Sequence, residues 1–257
     1  MKLPAFLTTP GTPVARIIQF VTAATLAFSL FGLGFIACCL PATTDILANA
    51  NSNVAYSAYE KETLVSLAQT TRAYTVEGMD YTSYCQAEIE AMKTLPGIDA
   101  NLEVADPVAA AEAVAELNDG LALDSASVVH LNQVHQVVLA ALVAIAAALV
   151  LFAACLGHVV CRYNRKAAGI CLMAGALGIL AVLVLFTCWA LIDFNTLFAW
   201  MHSLFFADGS WTFDVRSLLI CMYPEGFWMG MGVTWLLTTC VASAVALGVG
   251  IRMKRNS

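Results

Sequence analysis

Charge is what this chain has least of. Of its 257 residues only 12 are Lys or Arg and 18 are Asp or Glu, while 60% are apolar and the mean hydropathy is +0.79. Ordinary soluble domains carry about 25% charged residues, so that class is excluded. Disorder is excluded too, because its signature is low hydrophobicity. With a net charge of −6 there is no basic face for a phosphate backbone, and a nucleic-acid partner is not expected. Other absences narrow the reading further. There are no short alternating strands of the kind a membrane β-barrel needs. No G-x-S-x-G nucleophile turn occurs. The nine cysteines form no disulfide framework, and apart from the adjacent Cys38 and Cys39 none has zinc-site spacing. Nothing in the sequence calls for a metal or an organic cofactor.

What is present is apolar sequence in long runs. Four windows hold no Asp, Glu, Lys or Arg: Ile17–Leu40, Val134–Val160, Ala167–Ile192 and Phe227–Ile251. Each exceeds the ~20 residues a helix needs to cross a hydrocarbon core. In lipid every backbone N–H and C=O must be paired within its own segment, so the windows are expected to be helices. The first is longer than the ~7–15 residues of a signal-peptide core, which favours a retained anchor over a cleaved one. The Phe35-Ile36-Ala37-Cys38 string resembles a lipoprotein cleavage box only loosely.

The few charges then set an orientation. Lys2 and Arg16 precede the first window, Arg162, Arg165 and Lys166 join the second to the third, and Arg252, Lys254 and Arg255 follow the fourth. The positive-inside rule makes that side cytoplasmic. All 18 acids fall on the other side, 14 of them between Asp45 and Asp124. The expected architecture is an all-α membrane protein with four transmembrane helices, both termini cytoplasmic and a mostly helical extracytoplasmic loop subdomain. Its segments are 1–16 inside, helix 17–40, outer loop 41–129, helix 130–161, inner link 162–166, helix 167–193, second outer loop 194–224, helix 225–251 and inner tail 252–257. Within the large loop the spacing predicts helices over Tyr56–Ala73, Tyr84–Leu95 and Val108–Leu117, with a break at Asn118-Asp119-Gly120. Cys85 is the only cysteine inside it, and a bridge to another outer cysteine (Cys38, Cys39 or Cys221) is left open.

Polar groups at the ends of membrane helices are where chemistry is expected. His130 begins the second span and His202 lies in the second outer loop, so two histidines 72 residues apart are placed at one membrane face. Gln133 lies one helical turn from His130, whereas His135 is well round the helix. The segment 195–228 is dense in aromatics. Much of it has a plain explanation: Trp and Tyr favour the interface, Asp208-Gly209 is a turn, Pro224-Glu225 starts a helix, and Gly226 and Gly230 allow close packing. What that leaves over is His202, Asp214 and Arg216.

The string His202-x-x-Phe205-Phe206-x-x-x-x-Trp211-x-Phe213, followed by Leu219-Ile220 and Tyr223-Pro224-Glu225-x-Phe227-Trp228, resembles the lipoprotein intramolecular transacylase family of bacterial membrane proteins. So does His130-Leu131-x-x-Val134 at the head of the second span. The chain departs from the family at Gln133 and at Arg216-Ser217-Leu218, where an Asp is more usual. The resemblance implies an enzyme that moves the sn-2 acyl chain of a diacylglyceryl lipoprotein onto the α-amino group of its N-terminal Cys, leaving a lyso-form. The partners it implies are that lipoprotein and membrane lipid. It also implies His130 and His202 as the acid/base centre and Gln133 as an orienting group. Asp214 or Arg216 would hold an imidazole or an oxyanion, and Trp211, Phe205 and Phe206 would line the acyl groove. Tyr223 and Glu225 are expected to be structural.

Two other classes are weighed beside it. A non-enzymatic tetraspan scaffold would use the acidic outer loop to bind a partner and would not need the histidines. A transporter or channel subunit is disfavoured because no charged residue lies mid-span, with only Gly175 and Gly178 hinting at a broken helix.

Overall fold

The computed structural model describes residues 11–256, so Lys2 lies outside the described residues. These residues form helices and connecting segments with no strand. In chain order the helices are α1 (Pro13–Cys39), α2 (Pro41–Asn51), a 3-10 turn (Val54–Tyr56), α3 (Lys61–Arg72) running into a π turn (Ala73–Glu77), and α4 (Tyr81–Met92). They continue with α5 (Pro107–Leu117), α6 (Ser125–Arg162), α7 (Arg165–Ile192), α8 (Phe194–Ser203), α9 (Leu218–Met222) and α10 (Glu225–Arg255). Four of them, α1, α6, α7 and α10, are long and apolar enough to cross a membrane; α6, α7 and α10 each contain one of the charge-free windows, and α1 covers the first up to Cys39, one residue short of its end. The 38 residues of α6 make a rod about 57 Å long at ~1.5 Å per residue. A hydrocarbon core is about 30 Å thick, so the polar start of α6, where His130 sits, extends beyond the apolar stretch.

The chain divides into two compact units. The first comprises the described residues up to Ala37, Ala141–Phe194 and the described residues from Thr234 onward. Its core is aliphatic, built on Leu26, Leu30, Leu172, Ala176, Ile179 and Leu183. Helix α7 runs unbroken through Gly175 and Gly178, so the hint of a discontinuous span is not realised. Gly175 has a different purpose: a Cβ there would lie 2.6 Å from the carbonyl oxygen of Ala23 on α1. Small residues at such crossings let helix backbones approach closely where lipid gives no hydrophobic drive to associate.

The second unit comprises Cys38–Ala140 and Asn195–Val233. Its core draws on both segments: Leu64, Leu67, Tyr84 and Ile89 from the first pack with Leu218, Met222 and Phe227 from the second. Local sequence sets the helix starts. Asp80 caps α4 by accepting from Ser83 N (2.9 Å), and Asp106 caps α5 by accepting from Val108 N and Ala109 N (3.1 Å each) ahead of Pro107. Asn118 accepts from Gly120 N (3.0 Å), which makes the expected chain break an Asx turn. Helix α2 has no counterpart among the expected helices. Only Leu40 separates it from α1, and the reading of apolar windows stopped there, although Pro41 at its first position is a helix-start signal. Gly226 and Gly230 do permit close packing, and the partner is α2: Cβ atoms at those positions would meet Asn51 and Leu47, themselves four residues apart.

None of the nine cysteines forms a disulfide, and Cys85 is buried. The bridge left open for Cys85 is not formed.

Candidate active site

His130 and His202 meet inside the second unit. Their rings are stacked with centroids 6.2 Å apart and planes 25° apart. Each side chain is more than nine-tenths buried, with exposures of 7% and 8%. Helix α6 delivers His130 one turn after its start, where Asp124 caps the helix by accepting from Ser127 N (2.8 Å). Helix α8 delivers His202 at its last turn.

The backbone of α8 also fixes the tautomer of His202. Its Nδ1 lies 2.9 Å from the carbonyl oxygen of Phe198, four residues earlier. A carbonyl oxygen only accepts, so Nδ1 carries the hydrogen and Nε2 keeps the lone pair. Burial lowers the pKa of this imidazole below its ordinary value, and the Phe198 hydrogen bond opposes that shift more weakly. His202 is therefore held as a neutral base. The Nδ1 of His130 is buried and has no hydrogen-bond partner.

Aromatic rings enclose the pair. Phe206 touches both imidazoles, 4.7 Å from His130 and 5.6 Å from His202 between centroids. Phe213 lies 5.7 Å from His130, and Phe198 and Trp211 lie 4.0 and 4.8 Å from His202. The indole Nε1 of Trp211 is buried and, like His130 Nδ1, has no partner. An aromatic enclosure of this kind has low polarity, which strengthens any charge–dipole interaction formed within it. It also suits a substrate whose reacting ester hangs on long acyl chains.

The remaining expected residues are placed differently. Gln133 is exposed and makes no hydrogen bond to either imidazole. Neither ring has a carboxylate partner among the described residues. Asp214 and Arg216 are exposed. The Asp214 carboxylate accepts from Arg216 N (2.8 Å), and its carbonyl accepts from Ser217 N (3.0 Å). Those bonds shape the turn before α9 and do not involve an imidazole. Phe205 is 57% exposed, so of the neighbouring phenylalanines it is Phe206 that lines the site. His135 donates from Nδ1 to the carbonyl oxygen of Thr75 (2.9 Å) and so braces the π turn. Tyr223 is buried and donates its hydroxyl to the Ala68 carbonyl oxygen, tying α9 to α3.

Phe198 and Phe213 are site residues that the sequence reading did not select. The spacing of Phe198, four before His202 on one helix, was a usable signal. Phe213 stands in the aromatic string itself. Among the described residues no group of three or more His, Cys, Asp or Glu side chains is arranged to hold a metal ion.

Comparison with known proteins bears on this geometry. A model of the lipoprotein intramolecular transacylase family, Lit, matches residues 28–228. An in meso structure of the membrane-integral lipoprotein intramolecular transacylase from Bacillus cereus superposes with a TM-score of 0.68 at 17% identity, covering 94% of this chain and 98% of that one. Two structures of the same protein with a single histidine replaced are also similar. The arginine variant has a TM-score of 0.64 at 16% identity over 94% of this chain and 92% of that one. The alanine variant has a TM-score of 0.64 at 17% identity over 94% and 96%. No curated protein matches.

Proposed function

The chain belongs to the lipoprotein intramolecular transacylase family, and on that premise we propose that it moves the sn-2 acyl chain of a diacylglyceryl lipoprotein to the α-amino group of the N-terminal Cys. The product is an N-acylated lyso-form lipoprotein. The observation that carries the reading is the stacked pair of buried histidines, 6.2 Å apart, contributed by segments far apart in sequence. A scaffold whose acidic loop binds a partner has no need of such a pair.

The chemistry follows from the site. Ester and amine belong to one molecule, so holding them together supplies much of the rate. The amine nitrogen attacks the ester carbonyl, and a base must take a proton from it. Nε2 of His202 is suited to that task because its tautomer is set by Phe198 and burial keeps it neutral. The glycerol oxygen must leave with a proton, and the second imidazole, His130, with its ring centroid 6.2 Å from that of His202, is near enough to share that work. Phe206 and Phe213 exclude water that would otherwise hydrolyse the ester.

The topology that accompanies this reading places both termini and the link between α6 and α7 in the cytoplasm. Both segments of the second unit then lie outside, where lipoproteins carry their lipidated Cys. The distribution of charge supports it: the described basic residues Arg16, Arg162, Arg165, Lys166, Arg252, Lys254 and Arg255 fall on one side of the spans.

Mass spectrometry of a reporter lipoprotein's N-terminal peptide, with and without this protein expressed, tests the proposal. The lyso-form is expected only with it, and an unchanged diacylglyceryl-Cys would overturn the reading. General acid–base groups contribute about 10²–10⁴-fold. His130→Ala and His202→Ala should each reduce product by that order with the protein still folded; full activity in both would remove the site assignment.

A further inference from the structure

Acyl transfer needs a third group that the two histidines do not supply. When the amine attacks, the carbonyl π pair moves to oxygen, and that oxyanion needs a hydrogen-bond donor aimed at it. We infer that the indole N–H of Trp211 is this donor, an assignment that rests on the transacylase reading above.

Three observations lead to it. First, Trp211 Nε1 is buried and has no partner. Buried polar groups are almost always paired in a folded protein, so an orphan calls for an explanation, and a missing ligand is a principal one. Indole nitrogen is donor only, so the missing partner is an acceptor such as a carbonyl oxygen or an oxyanion. Second, the orphan stands beside the base. The Trp211 ring lies 4.8 Å from His202 and 6.3 Å from Phe198, which fixes the His202 tautomer. A second buried orphan, His130 Nδ1, stands on the other imidazole that touches His202. Two unpaired nitrogens around one base describe a polar substrate group inside an aromatic pocket. Third, the other candidates are engaged elsewhere: Arg216 is exposed, and the Asp214 carboxylate is bound to Arg216 N. A neutral donor also avoids the desolvation penalty of burying a guanidinium in this enclosure.

The full step balances. The amine nitrogen forms the new C–N bond while the C=O π pair goes to oxygen, and the Trp211 N–H donates a hydrogen bond to the resulting oxyanion. A proton leaves the nitrogen for a histidine. The oxyanion collapses, the C–O bond to glycerol breaks with its pair on the glycerol oxygen, and that oxygen takes a proton from the protonated histidine, which returns to its neutral form. The indole keeps its hydrogen throughout.

The test removes the N–H and nothing else. In the full-length protein, Trp211 is replaced by β-(3-benzothienyl)alanine, an isostere with sulfur in place of the indole N–H, and separately by Phe. Turnover of a synthetic diacylglyceryl lipopeptide is followed by mass spectrometry in detergent micelles, with thermal unfolding in parallel. Loss of one oxyanion donor lowers kcat by about 10²–10³-fold. That loss is expected in both variants, with KM and the unfolding midpoint unchanged. An isostere that turns over like the wild type overturns the assignment, even if Trp211→Phe is impaired, because Trp211 is then a packing residue. A defect confined to KM, or one matched by a fall in the unfolding midpoint, overturns it as well. Wild-type protein that forms no lyso product would instead sink the transacylase reading itself.

Discussion

The two units of this chain differ in how far along the sequence their polar groups reach for partners. In the first, Thr22, Thr25 and Ser29 bond back to the carbonyls of Ile18, Val21 and Thr25 one turn earlier on α1 (2.7, 2.7 and 2.8 Å). Polarity there is closed largely within single helices, with Trp235 Nε1 donating to the Phe31 carbonyl oxygen between α10 and α1 (2.8 Å) as an exception, and what holds helix to helix is mainly shape. In the second, the bonds span the sequence. Asn53 N donates to the Cys221 carbonyl oxygen (2.8 Å), Leu218 N donates to the Asp119 carbonyl oxygen (2.9 Å), and the Tyr223 hydroxyl donates to the Ala68 carbonyl oxygen, each joining the unit's two segments. The difference teaches where each kind of specificity comes from. Apolar surroundings give helices no reason to associate except close fit, while a unit assembled from two separate segments needs directional bonds to fix their register. Apart from Asp193 the acids fall in the second unit, and so do His130 and His202 of the candidate site.

The contrast can be broken most forcefully at Glu88. This carboxyl is 2% exposed, and burial raises its pKa from 4.5 to about 7, against weaker lowering by Leu123 N and Tyr84. The folded protein therefore holds a proton that the unfolded chain has already released. The resulting stabilisation is complete below pH 4.5 and is lost as pH rises through about 7. The loss is on the order of 3 kcal/mol. Denaturant unfolding at pH 5 and pH 8 should show the wild type weakening at the higher pH and Glu88→Gln nearly insensitive. A wild type equally stable at both would mean that Glu88 does not titrate there.

A smaller effect is expected from shape alone in the first unit. Gly175→Val would drive a side chain against the Ala23 carbonyl. Overpacking of this sort costs about 1–3 kcal/mol. The loss should be the same at pH 5 and pH 8, because no titrating group is involved. A pH-dependent loss would show that the two units are not stabilised by separate means.

The smallest effects are expected where the sequence pointed and the fold did not follow. Gln133→Ala and Arg216→Ala remove exposed side chains. Surface changes usually stay within about 0.5 kcal/mol, roughly a twofold change in turnover. A hundredfold drop in either would return that residue to the site.

These cases show how far the linear reading reached. The spans were legible because length and the absence of charge are properties of the chain itself. The convergence of His130 and His202 on one region was legible because sorting charges by side assigns both to one face. Their neighbours were not. Gln133 shares a helical turn with His130, yet it is exposed and bonds to neither imidazole. Asp214 and Arg216 are polar groups in a greasy segment, but a two-residue turn takes up the Asp214 carboxylate. Helix α2 has no charge-free window of its own, since only Leu40 separates it from α1, and the glycines its Asn51 and Leu47 meet, Gly226 and Gly230 of α10, lie far along the chain.

The sequence alone determined that this is a four-span helical membrane protein with its acids gathered in one loop, since hydrophobic length and charge need no partner to be expressed. The tertiary structure decided which nitrogen of His202 is free and which aromatics close around it. It also decided that the Trp211 indole, not the Arg216 guanidinium, packs against His202. Those are relations between segments, and only packing brings into contact what the chain keeps 72 residues apart.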